Sequence, residues 1–346
     1  MQNFSDKIAI WYHENKRDLP WRKTKDPYVI WLSEVILQQT RIEQGTSYFL
    51  SFTKAFPTVF DLAHASEEAV LNLWQGLGYY SRARNLHYTA KHIVSQYNGI
   101  FPDNYKELLQ LKGVGDYTAS AIASICFNEA TAVVDGNVYR VLSRLFGIET
   151  PINTTDGIKQ FKALAQKLID KNNPGTHNQA VMEFGATHCK PKNPKCSSCI
   201  FNRACVAFTT NKVSHLPVKL KKTTVRNRYF NYLVAVSKDG KTLLEKRTGK
   251  GIWKNLYQFP LLESDQTKDL TKTEIETALP EQSVASYSCY NKKENVHKLS
   301  HQHLHIRFWI IDTPLLTNNA IFIHKRDDFP VPIVLKNFMD EFFSNR

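Results

Sequence analysis

Four cysteines, Cys189, Cys196, Cys199 and Cys205, fall in the pattern C-x6-C-x2-C-x5-C, in a chain whose remaining two are Cys126 and Cys289. Four thiolates in so short a stretch can wrap one compact centre, and little else would hold this segment, which is rich in Pro and Lys and poor in apolar residues. A [4Fe-4S] cluster takes four Cys ligands. So does structural zinc, which more often uses two tight C-x2-4-C pairs; only Cys196 and Cys199 make one here. Two carboxylates also stand out. Glu34 sits beside Val35 and Ile36 in an apolar helical run, with Trp31 and Gln38 on the same stripe. Apolar surroundings raise a carboxyl's pKa and allow it to hold a proton near neutrality, as a general acid must. A half-exposed helix glutamate is the plain alternative. Asp135 precedes a helix, where free N–H groups favour the ionised form, so the two carboxyls are expected to be pushed apart in pKa. A simple helix cap explains Asp135 equally well on local grounds.

The elements that would position these groups differ along the chain. Through about residue 205 the apolar positions recur at helical spacing, in 4–12, 28–39, 69–73, 84–97, 105–111, 118–126, 138–146 and 161–169, with Gly and Pro between them. Residues 207–228 are polar and basic, including Lys221, Lys222 and Arg226, and read as a linker. Beyond them, 229–236, 242–245, 257–262 and 305–311 read as strands, with a turn at Lys238-Asp239-Gly240-Lys241, and 270–279 and 333–343 as helices. The expected architecture is multi-domain: a mostly α-helical region over 1–206, a linker over 207–228, and an α+β domain over 229–346.

Between two helical stretches lies Leu111-Lys112-Gly113-Val114-Gly115-Asp116-Tyr117. Its glycines permit positive φ and close approach of another backbone, and the following helix would point free amides and the positive end of its dipole at an anion. Such a turn binds a phosphate without reading a base; an ordinary tight turn capped by Asp116 is the alternative. The chain has 346 residues, 45 basic and 32 acidic, for a net charge of +13, an excess that attracts polyanions such as DNA. The first 16 residues lack the apolar core of a secretory signal, and no apolar run reaches membrane-spanning length. A cytoplasmic bacterial protein with reduced thiols is the expectation, which favours metal over disulfides.

The helix–hairpin–helix, the later Asp135 in Val133-Val134-Asp135-Gly136-Asn137-Val138 and the cysteine loop together resemble the endonuclease III superfamily of DNA glycosylases. Within it, residues 31–40 (WLSEVILQQT), 74–82 (WQGLGYYSR) and 185–189 (GATHC) resemble the MutY family of adenine DNA glycosylases, and the likeness covers nearly the whole chain. The resemblance implies a repair enzyme that removes adenine mispaired with 8-oxoguanine or guanine in double-stranded DNA, acting as a monomer with one [4Fe-4S] cluster. It implies that Glu34 protonates adenine N7, that Asp135 stabilises the cationic sugar or assists water, and that Tyr117 and Asn137 complete the site. Lyase members of the superfamily carry a lysine where this chain has Tyr117. A phenol cannot form a Schiff base, so monofunctional hydrolysis is expected.

The same resemblance makes Gln39 and Tyr79 the residues that wedge into the base stack. Arg82, Lys112, Gly113, Val114 and Gly115 are the expected backbone contacts, joined by the basic residues Arg84, Lys190, Lys192, Lys195 and Arg203. The C-terminal domain resembles a Nudix domain through residues 251–260 (GIWKNLYQFP). It lacks the R-E-x-x-E-E helix, which Glu274 and Glu276 do not reproduce, so recognition is expected there rather than nucleotide hydrolysis. Lys298-Leu299-Ser300-His301 matches the family loop that reads the oxidised guanine, with Leu299 in place of an aromatic and Ser300 and His301 retained. His297, His303 and His305 nearby fit a strand with polar alternation better than a metal site, since no Cys or carboxylate completes a ligand set.

Overall fold

The computed structural model describes residues 2–220, 225–316 and 320–344. The chain divides into two compact units, one of residues 1–65 and 84–221 and the other of 66–83 and 222–346. Among the described residues no helix is long and apolar enough to cross a membrane.

The first unit is helical. Its central helix, Pro27–Leu37, starts where Asp26 caps the amide of Tyr28 at 2.9 Å, with Pro27 in the first turn. Seven of its eleven residues are buried, and Glu34 is its one charged side chain. It packs against Asp116–Phe127, whose Ala119, Ala121 and Ala123 are wholly buried. Small side chains at these positions let two helices approach closely. The helix ends at Leu37, one residue before Gln38. Gln38 is therefore not on a helical stripe with Trp31 and Glu34; its Nε2 instead donates to Thr118 Oγ1 at 3.2 Å.

Helix Gly136–Phe146 packs against Pro174–Thr187. Their approach depends on Gly185, where a Cβ would lie 2.7 Å from that of Asn137. Helices Ile42–Ala55 and Pro174–Thr187 went unread in the sequence; glycines at 45, 175 and 185 interrupt the apolar pattern because helix packing requires them small.

Residues 207–220, read as linker, run along the first unit. Arg144 Nε donates to the carbonyl of Leu216 at 3.1 Å, Ile152 N to that of Val218 at 3.0 Å, and Asn153 brackets Leu220 through its amide and carbonyl. Lys221 and Lys222 lie outside the described residues.

Among the described residues the second unit holds nine strands in two sheets, one of seven strands and one of two: β1 (Arg226–Ser237), β2 (Lys241–Leu243), β3 (Glu245–Lys246), β4 (Tyr257–Gln258), β5 (Leu261–Ser264), β6 (Ser286–Cys289), β7 (Asn295–Lys298), β8 (Gln302–Thr313) and β9 (Ala320–Phe322). Among the described residues the main sheet runs β6-β8-β1-β2-β9, with β5 also on β1 and β7 also on β8; β3 and β4 pair apart. β1 and β8 are parallel along their whole length, from Arg226 opposite Gln302 to Ser237 opposite Thr313. One face buries Leu233, Ala235 and Ile311 with Ile275 of helix Lys272–Ala278. Phe308 stacks on Phe338 of the C-terminal helix Ile333–Ser344 at 3.8 Å. β7 and β8 form a hairpin whose tip is Leu299-Ser300-His301, closed by Leu299 N to Gln302 O at 2.8 Å.

Candidate active site and nucleic-acid interface

Three helix ends in the first unit bring Glu34, Tyr117 and Asp135 into mutual electrostatic contact. Glu34 keeps some accessible surface, yet the atoms around it are dense enough that desolvation raises its carboxyl to about 7. Asp135's charge adds to the rise, while a hydrogen bond from the Tyr117 hydroxyl and the charge of Arg22 oppose it. Tyr117 is itself pushed far above the usual phenol range, by burial and then by the two carboxylates, and so stays protonated. Its hydroxyl also lies 3.5 Å from Met182 Sδ.

Asp135 caps the helix that follows it. Oδ1 accepts from the amides of Asn137 at 2.9 Å and Val138 at 2.7 Å, and Oδ2 from Asn137 Nδ2 at 2.7 Å. The expectation that its pKa would fall is corrected here. Burial raises it, and the three bonds with the charge of Arg140 only partly offset that rise. Desolvation therefore moves both carboxyls upward, and at Asp135 the bonds it accepts oppose that rise.

Asn137 is in turn oriented by Arg140, whose Nη2 donates to its Oδ1 at 2.8 Å and to the carbonyl of Gly185 at 2.7 Å, while Nε reaches the carbonyl of Cys189 at 2.8 Å. Sequence reading missed Arg140, and also Glu183. Burial by itself would raise Glu183, but Arg17 and Arg22, each 2.7 Å from its Oε2, hold it down to about 2. The available signal was a lone charge within the apolar stretch Val181–Phe184.

The hairpin forms as expected. Gly113 takes φ +81°, and a Cβ there would come within 2.7 Å of that of Asn85. The amide of Val114 is spent on the carbonyl of Leu111 at 3.0 Å, closing the turn; Val114 is buried and offers no donor. Gly115 rather than Asp116 is the N-cap of the next helix. Gly113, Gly115 and Lys112, whose Nζ lies 4.2 Å from the Tyr88 ring centroid, are exposed.

Gln39 and Tyr79 are both exposed and both hold positive φ, 55° and 47°. Left-handed backbone at non-glycine residues costs about 1 kcal/mol or more and collects at functional sites. In the second unit the Tyr79 hydroxyl hydrogen-bonds Ser300 at the β7–β8 tip; His301 beside it is exposed. Arg82, expected on the DNA backbone, is committed to its own loop. It lies 4.9 Å from the Trp74 ring centroid, donates to the carbonyls of Leu77 and Gly78 at 3.2 Å, and is lowered to about 10 by burial. His305 is likewise tied down, by Glu294 at 2.7 Å.

Cys189, Cys196, Cys199 and Cys205 line one cavity with Arg144 and His188. None is in a disulfide. Among the described residues no three His, Cys, Asp or Glu side chains are gathered as a ready ligand set for a single ion. The metal donors lining the cavity are the four thiols and the His188 ring, and the four thiols alone are enough for a group that takes four thiolates. Three of them pack on the core of the first unit, and Arg144 reaches across to the carbonyls of Lys190 at 2.8 Å and Pro191 at 3.2 Å.

Residues 32–171 match the family described as HhH-GPD superfamily base excision DNA repair protein, and residues 231–341 match the NUDIX domain. The chain is 33% identical over 353 residues to the adenine DNA glycosylase of Buchnera aphidicola subsp. Acyrthosiphon pisum, covering 98% of this chain and 99% of that one. It is 46% identical over 213 residues to the adenine DNA glycosylase of Homo sapiens, covering 59% of this chain and 39% of that protein. The solved structure of a thermostable thymine-DNA glycosylase aligns with a TM-score of 0.56 at 30% identity, over 60% of this chain and 96% of the other.

Proposed function

Since the chain belongs to the adenine DNA glycosylase family of base-excision repair enzymes, we propose that it hydrolyses the N-glycosidic bond of adenine mispaired with 8-oxoguanine, or with guanine, in duplex DNA. The observation that carries the reading is the carboxyl of Glu34, held at about 7 against Tyr117 and Asp135. At neutral pH a large fraction of it is protonated, as a general acid requires.

Adenine must first leave the stack. Gln39 and Tyr79, exposed on strained backbone, are the wedge. Glu34 donates its proton to N7 of the extruded base. The C1′–N9 bond then breaks, its electron pair leaving with the adenine and positive charge building on the sugar. Asp135 supplies the fixed negative charge that stabilises this cation. Water adds at C1′ and gives up a proton. Tyr117 has no amine to capture the sugar, so the product is an abasic site in an uncut strand. Ser300 and His301 read the opposite base, and the amides of Gly113 and Gly115 with Lys112 hold the backbone.

Cys189, Cys196, Cys199 and Cys205 would hold one [4Fe-4S] cluster, which supplies a structural cross-link for the 189–205 loop. Through Arg140 that loop meets Asn137 and Asp135, and its exposed Lys190, Lys192, Lys195 and Arg203 suit a polyanion.

A duplex with adenine opposite 8-oxoguanine tests the reading. The adenine strand should break only after alkali. An intact strand after alkali would end the glycosylase claim, and breakage without alkali would replace it with a lyase.

A further inference from the structure

The hairpin assigned above to a DNA phosphate carries an acid where an anion-binding helix tolerates one least. Asp116 is the first residue of helix Asp116–Phe127, next to the exposed N-cap Gly115, and is itself exposed. A carboxylate there answers the helix dipole itself and repels a second anion. Two residues from other elements surround it. Lys162 of helix Thr155–Leu168 places Nζ 2.5 Å from Asp116 Oδ1 and 3.3 Å from the Tyr105 hydroxyl. That hydroxyl donates to the same Oδ1. The ammonium also lies 5.4 Å from the Tyr105 ring centroid, and the amide of Tyr105 is anchored by Glu129 at 2.6 Å. An exposed ion pair contributes little to stability. What this one does is cancel a negative charge at the mouth of the turn.

We infer that Lys162, from outside the hairpin motif, is the counter-charge that keeps an acid-bearing hairpin receptive to a DNA phosphate. It is a positioning residue for the substrate, and the inference rests on the hairpin reading above. Lys162 acts through Asp116: without it the phosphate meets an uncompensated carboxylate, and without both charges the carboxylate's repulsion is gone as well.

The test is a double-mutant cycle on the full chain, measuring affinity for the adenine·8-oxoguanine duplex at fixed low salt, with thermal melting to verify folding. Lys162→Met should weaken binding by roughly tenfold, the effect expected of one unit charge a few ångströms from a phosphate at a wet surface. Asp116→Asn should bind somewhat more tightly than the native protein, Lys162→Arg should bind like it, and the double variant should return to within about threefold of it. A double variant as weak as Lys162→Met would overturn the inference, by making Lys162 a direct contact. Gly115→Pro, which removes the backbone N–H of the exposed N-cap at a position with φ −90° and open space for a Cβ, separates the two levels. If it loses affinity while Lys162→Met does not, the inference fails and the hairpin reading stands. If it binds normally, the hairpin reading fails and takes the inference with it.

Discussion

Asn137 grips Asp135 from two sides: its side-chain amide donates to Oδ2 at 2.7 Å and its backbone amide to Oδ1 at 2.9 Å. Those bonds oppose the rise that burial imposes on Asp135. Asn137→Ala removes one of them, so the pKa of Asp135 should climb further. An anion needed in the reaction would then form only at higher pH. The acid limb of the single-turnover pH–rate profile should move upward, with a loss of roughly tenfold or more at neutrality for a charge-assisted bond. An unmoved acid limb would detach Asn137 from this role.

Glu34 predicts the opposite limb. As a general acid with a pKa of about 7, it is competent below that value and loses its proton above it. Turnover should therefore fall as pH rises through about 7. Glu34→Gln should retain duplex affinity and lose about 10²–10⁴ in single-turnover rate. Rates near those of the native protein would remove Glu34 from proton donation.

The same shift is a statement about stability. The folded-state pKa of Glu34 lies above its ordinary 4.5, so the fold prefers the protonated form. That preference is fully expressed below about 4.5 and is lost as pH rises through about 7. Glu34→Gln should thus be more stable than the native protein at pH 8, by an amount on the order of 2 kcal/mol after allowance for partial solvent access, and show little difference at pH 4. Denaturant melts at the two pH values measure it; an equal effect at both would mean the carboxyl is not desolvated.

Ser300, hydrogen-bonded to Tyr79, should govern the partner base. Ser300→Ala should lower the preference for 8-oxoguanine over guanine several-fold, the cost of one lost polar contact, while cleavage opposite guanine stays within about twofold. Competition between the two duplexes reads this directly, and an unaltered ratio would exclude Ser300 from lesion recognition.

Purified protein should contain iron, with broad visible absorption, and Cys199→Ser should lower both iron content and Tm. Zinc alone in the metal analysis would replace the cluster assignment.

The sequence is legible where a feature is local. The spacing of Cys189, Cys196, Cys199 and Cys205 needs no tertiary partner to suggest a thiolate site. Gly113 and Gly115 mark a turn by backbone freedom alone, whereas the apolar run around Glu34 left a desolvated and a half-exposed carboxyl both open. The aromatic and β-branched residues of 229–236 likewise announced a long strand, since such side chains pack well on a pleated surface, and that strand proves buried along most of its length. The parallel pairing of β1 with β8 lay beyond reach, because register between strands over 70 residues apart is set by long-range packing.

What only the tertiary structure decided were quantities that sum over distant groups. Whether Asp135 rises or falls depends on desolvation by many atoms set against three hydrogen bonds, and the sequence shows just the capping half of that balance. Glu183 acquires its charge state from Arg17 and Arg22, more than 160 residues away. Arg82, a basic residue suited to DNA by type, folds its guanidinium onto Trp74 and two carbonyls, and Asp116, a cap by type, instead follows the cap Gly115 and pairs with Lys162. Residue type and spacing state which chemistry a side chain can perform; its neighbours, brought from afar by the fold, fix its charge, its orientation and its access to solvent.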